Sequence, residues 1–505
     1  MIATHSSTEF ELKFEVAPAQ LGGLRRALER GAVSVCRLLS IYFDTEDERL
    51  AMAGVTIRLR KEGRRWVQTA KAITSDPVRR SEHNADVATP RGGGSPRLDL
   101  ARHDGTALAP AICAALGCAD AQREAMLVER FRVDVSRTSR LTRSGAASIE
   151  LALDRGKVHV GLRSMPFCEL EMEWKSGSPA ALIRLATLWC ERHALWLSIV
   201  SKAGRGVRLL HAETRGNPVT ATPPSVGARD GRAAFFVATL QSCLAQILGN
   251  AGEVGPGSTG EPAIHQLRIG LRRLQTALRE LEDFGPVVDP AWAMTFGQAF
   301  RELGEHRDGT TVIPAIRREL TQAGVPHPIR IQEGTATRCP LAIVRAADFQ
   351  CALLALLALC QPAPPLPTAR GKRPHKQLIS SISKLLDRLH THLARDARKF
   401  STFSPRRRHE VRKRLKRFRY LAEFSAPLFG ADRVAKYLED WRGAQDALGA
   451  YNDHCVGLAA VESGAASERS AGPARRWLAR RLRTIAERCE VALRKAAKSE
   501  AFWRA

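Results

Sequence analysis

Apolar and polar residues alternate one for one in short segments of the first 212 residues. The segments lie at residues 8–16, 55–60, 65–71, 128–135, 148–153 and 168–174. A period of two is typical of a β-strand with one buried face and one solvated face. The pattern therefore predicts a β-rich N-terminal half, with a helical insertion over residues 107–123 and a glycine-rich loop over 92–96.

From about residue 231 onward, the apolar positions recur with helical spacing and no strand alternation is seen. Pro-rich stretches at 214–230 and 361–374 interrupt the chain. We therefore expect an antiparallel β-domain followed by an all-α domain, an α+β multidomain fold. The predicted boundaries are 1–212 for the β-domain, 213–230 for a linker and 231–505 for the helical domain, with repeats at 231–360 and 375–505.

One cationic pattern occurs twice in the helical half, at offsets of zero, three, seven and eight residues. The first copy is His265, Arg268, Arg272 and Arg273, and the second is His409, Arg412, Lys416 and Arg417. At about 100° per residue, these positions fall within roughly 140° of a helix. The repeat continues downstream, where Leu303-Gly304 and Arg307-Asp308 correspond to Leu448-Gly449 and Asn452-Asp453. A duplicated cationic face predicts a pseudo-twofold pocket for a long, strongly anionic ligand.

The charge is large and uneven. The net charge is +26, with 32 basic against 25 acidic residues in 1–214 and 46 against 27 in 215–505. An anionic partner is therefore expected for the C-terminal half, either polyphosphate, nucleic acid or an anionic membrane surface. The polar N-terminus predicts no secretory signal, and the longest apolar run, residues 351–360, is about half a membrane span. It is expected to be a buried helix.

The 11 cysteines are scattered and include no Cys-x-x-Cys pair. This spacing favours reduced thiols over a disulfide framework or a zinc site, and so predicts a cytoplasmic protein without membrane association.

Charged residues share one face on three of the predicted strands. They are Glu9, Glu11 and Lys13, then Arg58 and Arg60, then Glu169, Glu171 and Glu173. If these faces converge, carboxylates can hold a hard divalent cation while Arg and Lys grip phosphate oxygens. Such a site requires a barrel or cleft with a polar interior.

These motifs resemble the CYTH domain, the family of triphosphate tunnel metalloenzymes. The match opens with Glu9-Phe10-Glu11-Leu12-Lys13 and continues in family order over about 200 residues. The further matches are Tyr42-Phe43-Asp44-Thr45, Arg58-Leu59-Arg60, Lys71, Arg132 to Arg137, Glu150 to Asp154, Glu169-Leu170-Glu171, Ser201-Lys202 and Arg205-Gly206. The resemblance implies an eight-stranded antiparallel tunnel that cleaves a linear triphosphate with Mg²⁺ or Mn²⁺.

The resemblance also implies roles for individual residues. The implied catalytic residues are Glu9, Glu11, Lys13 and Glu171. The implied metal ligands are Glu9, Glu11, Glu169 and Glu171. The implied phosphate ligands are Lys13, Arg58, Arg60, Lys71, Arg132, Lys202 and Arg205. Glu171 and Glu173 are both candidates for the general base. The chain departs from the family pattern at Asn84, where a second Glu is usual after Glu82.

The helical half resembles the CHAD domain, in which two similar helical bundles face each other across a basic pore. The resemblance implies binding of inorganic polyphosphate, with polyphosphate granules as the destination. The implied ligands are His265, Arg268, Arg272, Arg273, His409, Arg412, Lys413, Lys416, Arg417 and Tyr420. Thr310 stands where a second Asp is common, and we expect it to affect packing more than anion binding.

The sequence thus predicts a metal-dependent inorganic triphosphatase tethered to a polyphosphate-binding helical domain. Alternative tunnel substrates are thiamine triphosphate and ATP, the latter cyclised to cyclic AMP. A different class is a non-catalytic protein that binds polyphosphate granules. Nucleic-acid binding is disfavoured because Phe418 and Tyr420 are the only aromatic residues beside the basic run 406–419, and base stacking would require more.

Overall fold

A computed structural model describes residues 5–74, 78–90, 94–117, 124, 126–213, 216–257, 261–327, 338–361, 374–464 and 468–504, with the backbone alone for 5–9 and 468–470. Residues 92–93 of the predicted loop and most of the predicted break between the helical repeats lie outside these ranges. Of the predicted insertion at 107–123, residues 107–117 are described.

The described residues of the N-terminal part form nine strands and five α-helices. The strands are β1 (His5–Glu15), β2 (Ser34–Asp44), β3 (Val55–Glu62), β4 (Arg65–Ile73), β5 (Arg79–Val87), β6 (Val128–Ser144), β7 (Ala147–Val160), β8 (Arg163–Ser176) and β9 (Trp196–Leu197). The helices are α1 (Leu21–Leu28), α2 (Arg49–Met52), α3 (Ala109–Leu116), α4 (Ala180–His193) and α5 (Lys202–Leu210). β2 and β5 were not among the segments predicted from alternation.

The first eight strands close into an antiparallel barrel, which confirms the predicted eight-stranded tunnel. Their order is β5-β4-β3-β2-β6-β7-β8-β1, and β1 also pairs with β5. The two residues of β9 extend the sheet beside β1. In this ring, β7, β8 and β1 stand opposite β4, β3 and β2.

One apolar core of the barrel lies on its outside. Val55, Ile57 and Ala70 point outward from β3 and β4 and pack against Leu50 of α2 and Ile112 of α3. The helical insertion therefore covers one flank of the barrel. Because β3 and β4 bury these apolar faces outward, their polar faces line the interior. A second apolar cluster lies on the inner face and includes three residues of the cavity lining, Leu38, Tyr42 and Val135.

The rest of the described chain is helical, as predicted. The first six helices are α6 (Arg232–Val254), α7 (Glu261–Glu280), α8 (Pro290–Arg307), α9 (Ile313–Gln322), α10 (Pro340–Arg345) and α11 (Ala347–Leu359). The last five are α12 (Pro374–Asp396), α13 (Pro405–Phe429), α14 (Ala431–Asp440), α15 (Arg442–Ser463) and α16 (Glu468–Ala496). A short π-helix, Asp308–Val312, follows α8.

The chain forms two compact units. The first comprises Met1–Val219, Leu248–Ser258 and Val344–Ala358, and the second comprises Thr220–Ile247, Thr259–Ile343 and Leu359–Ala505.

One helix of the described chain, α6, is long and apolar enough to cross a membrane, but 72% of its apolar window is buried inside the protein. The same test is passed by core helices of soluble proteins. The apolar run at 351–360 falls largely in α11, whose Leu353 and Leu356 are fully buried, and this confirms the predicted buried helix. The ten described cysteines are all free.

Candidate functional site

The barrel encloses a cavity of about 670 Å³ lined mainly by charged side chains. Its cations are Lys13, Arg58, Arg60, Lys71, Arg80, Arg137, Lys175 and Lys202. Its carboxylates are Glu11, Glu62, Glu82, Glu150, Asp154, Glu171 and Glu173. Five of the seven carboxylates come from β7, β8 and β1, whereas four of the eight cations come from β3, β4 and β5. The cavity therefore has an acidic wall facing a predominantly basic one.

Three buried carboxylates on the acidic wall could hold a metal ion. Oxygen atoms of Asp154, Glu169 and Glu171 all lie within 4.8 Å of one another. A set of carboxylate oxygens is what Mg²⁺ or Mn²⁺ prefers, so these residues fit the implied ion. Asp154 was not among the metal ligands predicted from the sequence. The available signal was its place four residues after Glu150, on the same face of β7.

The two other predicted metal ligands lie on β1. The Glu11 carboxylate lines the cavity and lies 3.0 Å from Lys13 Nζ. The side chain of Glu9 lies outside the described residues. Glu11 therefore faces the same cavity as the carboxylate cluster, but among the described residues it is not one of the three that come within 4.8 Å of each other.

Lys202 is the central cation of the acidic wall. Its ammonium lies 2.7 Å from Asp154, 2.6 Å from Glu169 and 2.7 Å from Glu171. The residue opens α5, where the Ser201 side chain caps the helix by accepting from the Gly204 N–H at 3.0 Å. Burial alone lowers the pKa of Lys202, but the three carboxylates outweigh it and raise the pKa well above its usual value.

The pKa values of the neighbouring carboxyls diverge. Burial raises the pKa of Glu169, and the charges of Lys202 and Lys13 do not reverse this. Burial acts on Glu171 as well, but there Lys202, Lys13 and Arg137 hold the pKa well below the usual range. Lys13, 3.2 Å from Glu171, has a raised pKa because Glu11, Glu171 and Glu169 outweigh its burial.

The opposite wall holds the predicted phosphate ligands Arg58, Arg60 and Lys71. Arg58 donates to the Tyr42 hydroxyl at 3.4 Å. Burial, together with the charge of Arg58, lowers the pKa of Arg60. These arginines converge in the cavity, where bidentate guanidinium groups suit phosphate oxygens.

Asn84 belongs to a hydrogen-bonded chain on the same side of the cavity. Its amide accepts from Thr69 Oγ1 at 2.7 Å and donates to Glu82 Oε1 at 3.1 Å. Glu82 in turn lies 3.0 Å from Lys71 Nζ. The departure from the family pattern thus places a neutral amide where a second carboxylate would stand beside Glu82.

Arg132 does not line the cavity, contrary to the predicted substrate role. Val135 and Arg137 of β6 face the cavity, so the pleat turns Arg132 outward, where it pairs with Glu129 at 2.5 and 2.8 Å. Arg137 lines the cavity in the role that was predicted for Arg132, and it contacts Asp154 at 2.6 Å. Within the stretch 132–137, the signal for choosing Arg137 is its even spacing from Val133 and Val135, which are buried, whereas Arg132 is at odd spacing from both.

Arg205 and Glu173 lie on either side of the central cluster. The Arg205 guanidinium contacts Glu15 and lies 3.5 Å from Glu169, beside a second surface cavity rather than the main one. Glu173 lines the main cavity and lies 2.7 Å from Lys175. The residues that sequence reasoning missed in the cavity include Arg80, Arg137 and Asp154.

In the helical unit, α7 and α13 pack together and bring the two cationic faces into one cluster. Burial lowers the pKa of His265, and the charges of Arg307, Arg268 and Lys416 add to that effect. Burial likewise lowers the pKa of Lys416 to about 8 and that of Arg272 to about 10, with Arg412 contributing to both. The pKa of His409 is lowered for the same reasons. Cations that lower one another's pKa in this way favour a bound anion.

The two residues at offset eight do not belong to this face. Arg273 is 1% exposed and donates to Gln246 at 2.9 Å and Ser242 at 3.1 Å. Arg417 turns to Glu280 at 3.1 Å. Both predictions of direct anion binding are therefore corrected, because offset eight lies about 80° from the histidine position and faces neighbouring helices.

Two further predicted ligands occupy the margins of the face. Lys413 is exposed and pairs with Glu410 at 3.3 Å. Tyr420 is buried, and burial raises its pKa. Thr310 lies in the π-helix and donates to Glu261 at 2.6 Å, a packing contact.

The repeated residues downstream of the cationic faces complete the cluster. Arg307 of the first repeat lies 4.0 Å from Asp453 of the second and 3.9 Å from Asp308. Arg268 and Arg272 stack on Phe300, with distances of 5.2 and 4.3 Å to the ring centroid. The sequence offered no signal for Phe300, because its counterpart in the second repeat is Gln445.

Comparisons with known proteins cover both units. A model of the CYTH domain matches residues 7–207, and a model of the CHAD domain matches residues 238–462. A solved CHAD domain from the plant Ricinus communis is 20% identical, over 56% of this chain and 98% of its own length, with a TM-score of 0.43.

Two solved structures resemble the N-terminal part. A Hippeastrum protein described as having a dominant triphosphatase activity is 16% identical, over 41% of this chain and 96% of its own, with a TM-score of 0.29. An inorganic triphosphatase is 21% identical, over 35% and 79%, with a TM-score of 0.16.

Proposed function

The chain consists of a CYTH domain followed by a CHAD domain, and from this premise we propose that it hydrolyses inorganic triphosphate to pyrophosphate and phosphate and binds polyphosphate. CYTH domains are metal-dependent tunnel enzymes. The observation that carries the hydrolase proposal is the buried Asp154, Glu169 and Glu171 cluster facing Arg58, Arg60 and Lys71 across a closed barrel.

The two walls of the cavity have different roles in the proposed phosphoryl transfer. The guanidinium groups of Arg58 and Arg60 and the ammonium of Lys71 hold the non-bridging oxygens of the triphosphate. Asp154, Glu169 and Glu171 would hold Mg²⁺ or Mn²⁺, and a bound ion would supply positive charge for the transferred phosphoryl group. Enclosure within the barrel limits competing water and strengthens each of these interactions.

A carboxylate on β8 removes the proton of the attacking water. Glu171 is fixed by Lys13, Lys202 and Arg137. Glu173 stands two residues away on the same face of the strand and lines the cavity. In this proposal Glu173 is the proton acceptor, and water adds to the terminal phosphorus as the bridging oxygen leaves with pyrophosphate.

Polyphosphate binding rests on the cationic face of the helical unit. Arg268 and Arg412, at the same offset in the two repeats, lie among cations that lower one another's pKa, together with Arg272 and Lys416. A bound anion would neutralise this crowding of positive charge, and phosphate oxygens accept well from guanidinium groups. Tethering a chain of phosphates near the tunnel raises its local concentration, on the order of mM for a short flexible tether. We place the protein in the cytoplasm, with polyphosphate granules as a docking partner.

Phosphate release by the purified chain tests the hydrolase proposal. The substrates are tripolyphosphate, ATP, thiamine triphosphate and long-chain polyphosphate, each with Mg²⁺ or Mn²⁺. Turnover of tripolyphosphate well above the others supports the proposal, and preference for a nucleotide or thiamine triphosphate overturns the substrate assignment. No release from any substrate, with polyphosphate binding retained, identifies a receptor rather than an enzyme.

Three variants sharpen this test. Glu11→Ala should abolish turnover and leave polyphosphate binding by the helical unit intact. Arg58→Ala should raise KM for tripolyphosphate about tenfold or more, whereas Arg132→Ala, which removes an arginine from the outer face of β6, should not. Equal effects of the two arginine variants would place substrate binding outside the barrel.

A further inference from the structure

The two cationic faces of the helical unit share their offsets but not their surroundings. In the first repeat, the guanidinium groups of Arg268 and Arg272 both stack on Phe300, which is itself half-buried. A cation held against an aromatic face loses rotational freedom while its N–H groups stay available at the edge. The ring therefore pre-orients two neighbouring guanidinium groups.

A glycine one turn further along α8 completes this platform. A Cβ built at Gly304 would lie 3.2 Å from Arg268 Nη2. The absence of a side chain at this position therefore lets the arginine lie across the helix. The equivalent glycine of the second repeat, Gly449, has no atom within 4 Å of such a Cβ. A contact therefore explains the glycine of the Leu-Gly pair in the first repeat, but not in the second.

The second repeat lacks the platform in three respects. Gln445 stands at the position of Phe300 and accepts from Arg419 at 2.8 Å. Lys416 replaces Arg272, and an ammonium makes no bidentate contact with phosphate. Asn452 replaces Arg307. The first repeat therefore offers three guanidinium groups where the second offers one, Arg412.

We infer that the first repeat carries the primary phosphate subsite of the helical unit, built on Phe300 and Gly304, and that the second repeat adds weaker, less oriented cations. This inference rests on the proposed polyphosphate binding and specifies where a chain is held most tightly. Phe300 and Gly304 are positioning residues, since they act on phosphate through Arg268 and Arg272. The subsite suits consecutive phosphate units of a linear chain, which present closely spaced oxygens to adjacent guanidinium groups.

The glycine pair gives a matched test in the full-length chain. Binding of a defined medium-length polyphosphate is measured by calorimetry for Gly304→Ala and Gly449→Ala, and thermal unfolding is recorded for each. Both substitutions add the same methyl group to a helix, where Ala is favoured over Gly. Gly304→Ala should weaken binding at least about threefold without lowering the unfolding temperature, whereas Gly449→Ala should leave the affinity unchanged.

Substitution of the ring gives the second test. Phe300→Ala should weaken binding about tenfold, and Phe300→Tyr, which keeps the stacking surface, should restore it. Gln445→Ala at the equivalent position should have little effect. Equal losses for Gly304→Ala and Gly449→Ala, or no loss for Phe300→Ala, would overturn the inference. If the wild-type chain binds no polyphosphate, the proposed function of the helical unit fails instead.

Discussion

The ammonium of Lys202 lies 2.6 Å from the carboxylate of Glu169, and both groups are almost completely buried in the barrel. The same ammonium contacts Asp154 and Glu171, so one cation neutralises a cluster of three acids. Folding of the barrel therefore depends on a charge balance among the same carboxylates that form the candidate metal site.

Removing that cation should destabilise the barrel. Lys202→Met leaves three buried carboxylates without their central partner, and we expect a loss of about 3–5 kcal/mol in the free energy of unfolding. Urea denaturation of the variant measures it, with Lys157→Met on the exposed face of β7 as the control. Mn²⁺ should raise the unfolding temperature of Lys202→Met more than that of the wild type, since the ion can take over the neutralising role. An unchanged midpoint would contradict the contacts assigned to Lys202.

Acid should destabilise the barrel through a buried histidine pair. Gln68 Nε2 lies 3.0 Å from His103 Nε2, so this nitrogen accepts and His103 Nδ1 donates to His83 Nδ1 at 2.8 Å. Burial lowers the pKa of His103 to about 4. A depressed pKa in the folded state means that the stability is fully present above about pH 6.5 and is lost as pH falls from there toward 4.

The difference between this pKa and the ordinary value of 6.5 corresponds to a loss of roughly 3 kcal/mol in the free energy of unfolding. Urea midpoints measured from pH 7.5 to 4 should fall for the wild type and fall less steeply for His103→Leu. His159→Leu, a half-exposed histidine paired with Asp134 at 3.3 Å, should retain the wild-type slope. Parallel profiles for all three proteins would rule out the pair as the acid-sensitive element.

Adjacent arginines on α7 should have opposite roles. Arg273→Leu removes the buried donor to Gln246 and Ser242 and should cost about 2 kcal/mol or more in unfolding free energy, with polyphosphate affinity little changed. Arg272→Leu should leave stability unchanged and weaken binding. In a plot of log affinity against log salt concentration, Arg272→Leu should reduce the slope by about 0.7. A similar change in slope for Arg273→Leu would return that residue to the binding face.

Asn84→Asp adds one negative charge to the tunnel with almost no change in shape. Because the amide donates to Glu82 at 3.1 Å, the variant sets two carboxylates against each other beside Lys71. We expect KM for tripolyphosphate to rise about tenfold. Asn84→Ala breaks the same hydrogen bonds without adding charge, so a smaller effect on KM separates electrostatics from positioning. Improved binding in Asn84→Asp would show that the amide is not required for affinity.

Strand alternation predicted most strands of the barrel, but it did not predict which side chains line the interior. Alternation fixes which residues share a face, as for Glu169, Glu171 and Glu173, without saying which strands face each other. Asp154 joins the acidic cluster only through the register that sets it opposite Glu169. Arg132 was predicted to bind phosphate but lies on the outer face, because one step along β6 moves a side chain to the other side of the sheet.

Helical offsets predicted the convergence of the two cationic faces but overestimated their width. A span of about 140° includes positions that border neighbouring helices, and there Arg273 and Arg417 find partners instead of solvent. Phe300 was not foreseen because the repeat argument selects residues that are shared, and this one is not. Contacts that distinguish the copies depend on packing, which the spacing of cations does not encode.

The closure of the barrel by β1 has a consequence for how the chain is made. Glu11 pairs with Glu173, more than 160 residues later, and β1 also pairs with β5. Since β1 is synthesised long before β8, one edge of β1 stays unpaired until β8 is made, and such distant pairings form slowly. Since β8 also supplies Glu169 and Glu171, a nascent chain acquires its acidic wall and its last strand pairing in the same step. Any fragment that ends before β8 lacks both, so premature termination within this unit leaves an aggregation-prone edge on β1 and no acidic cluster.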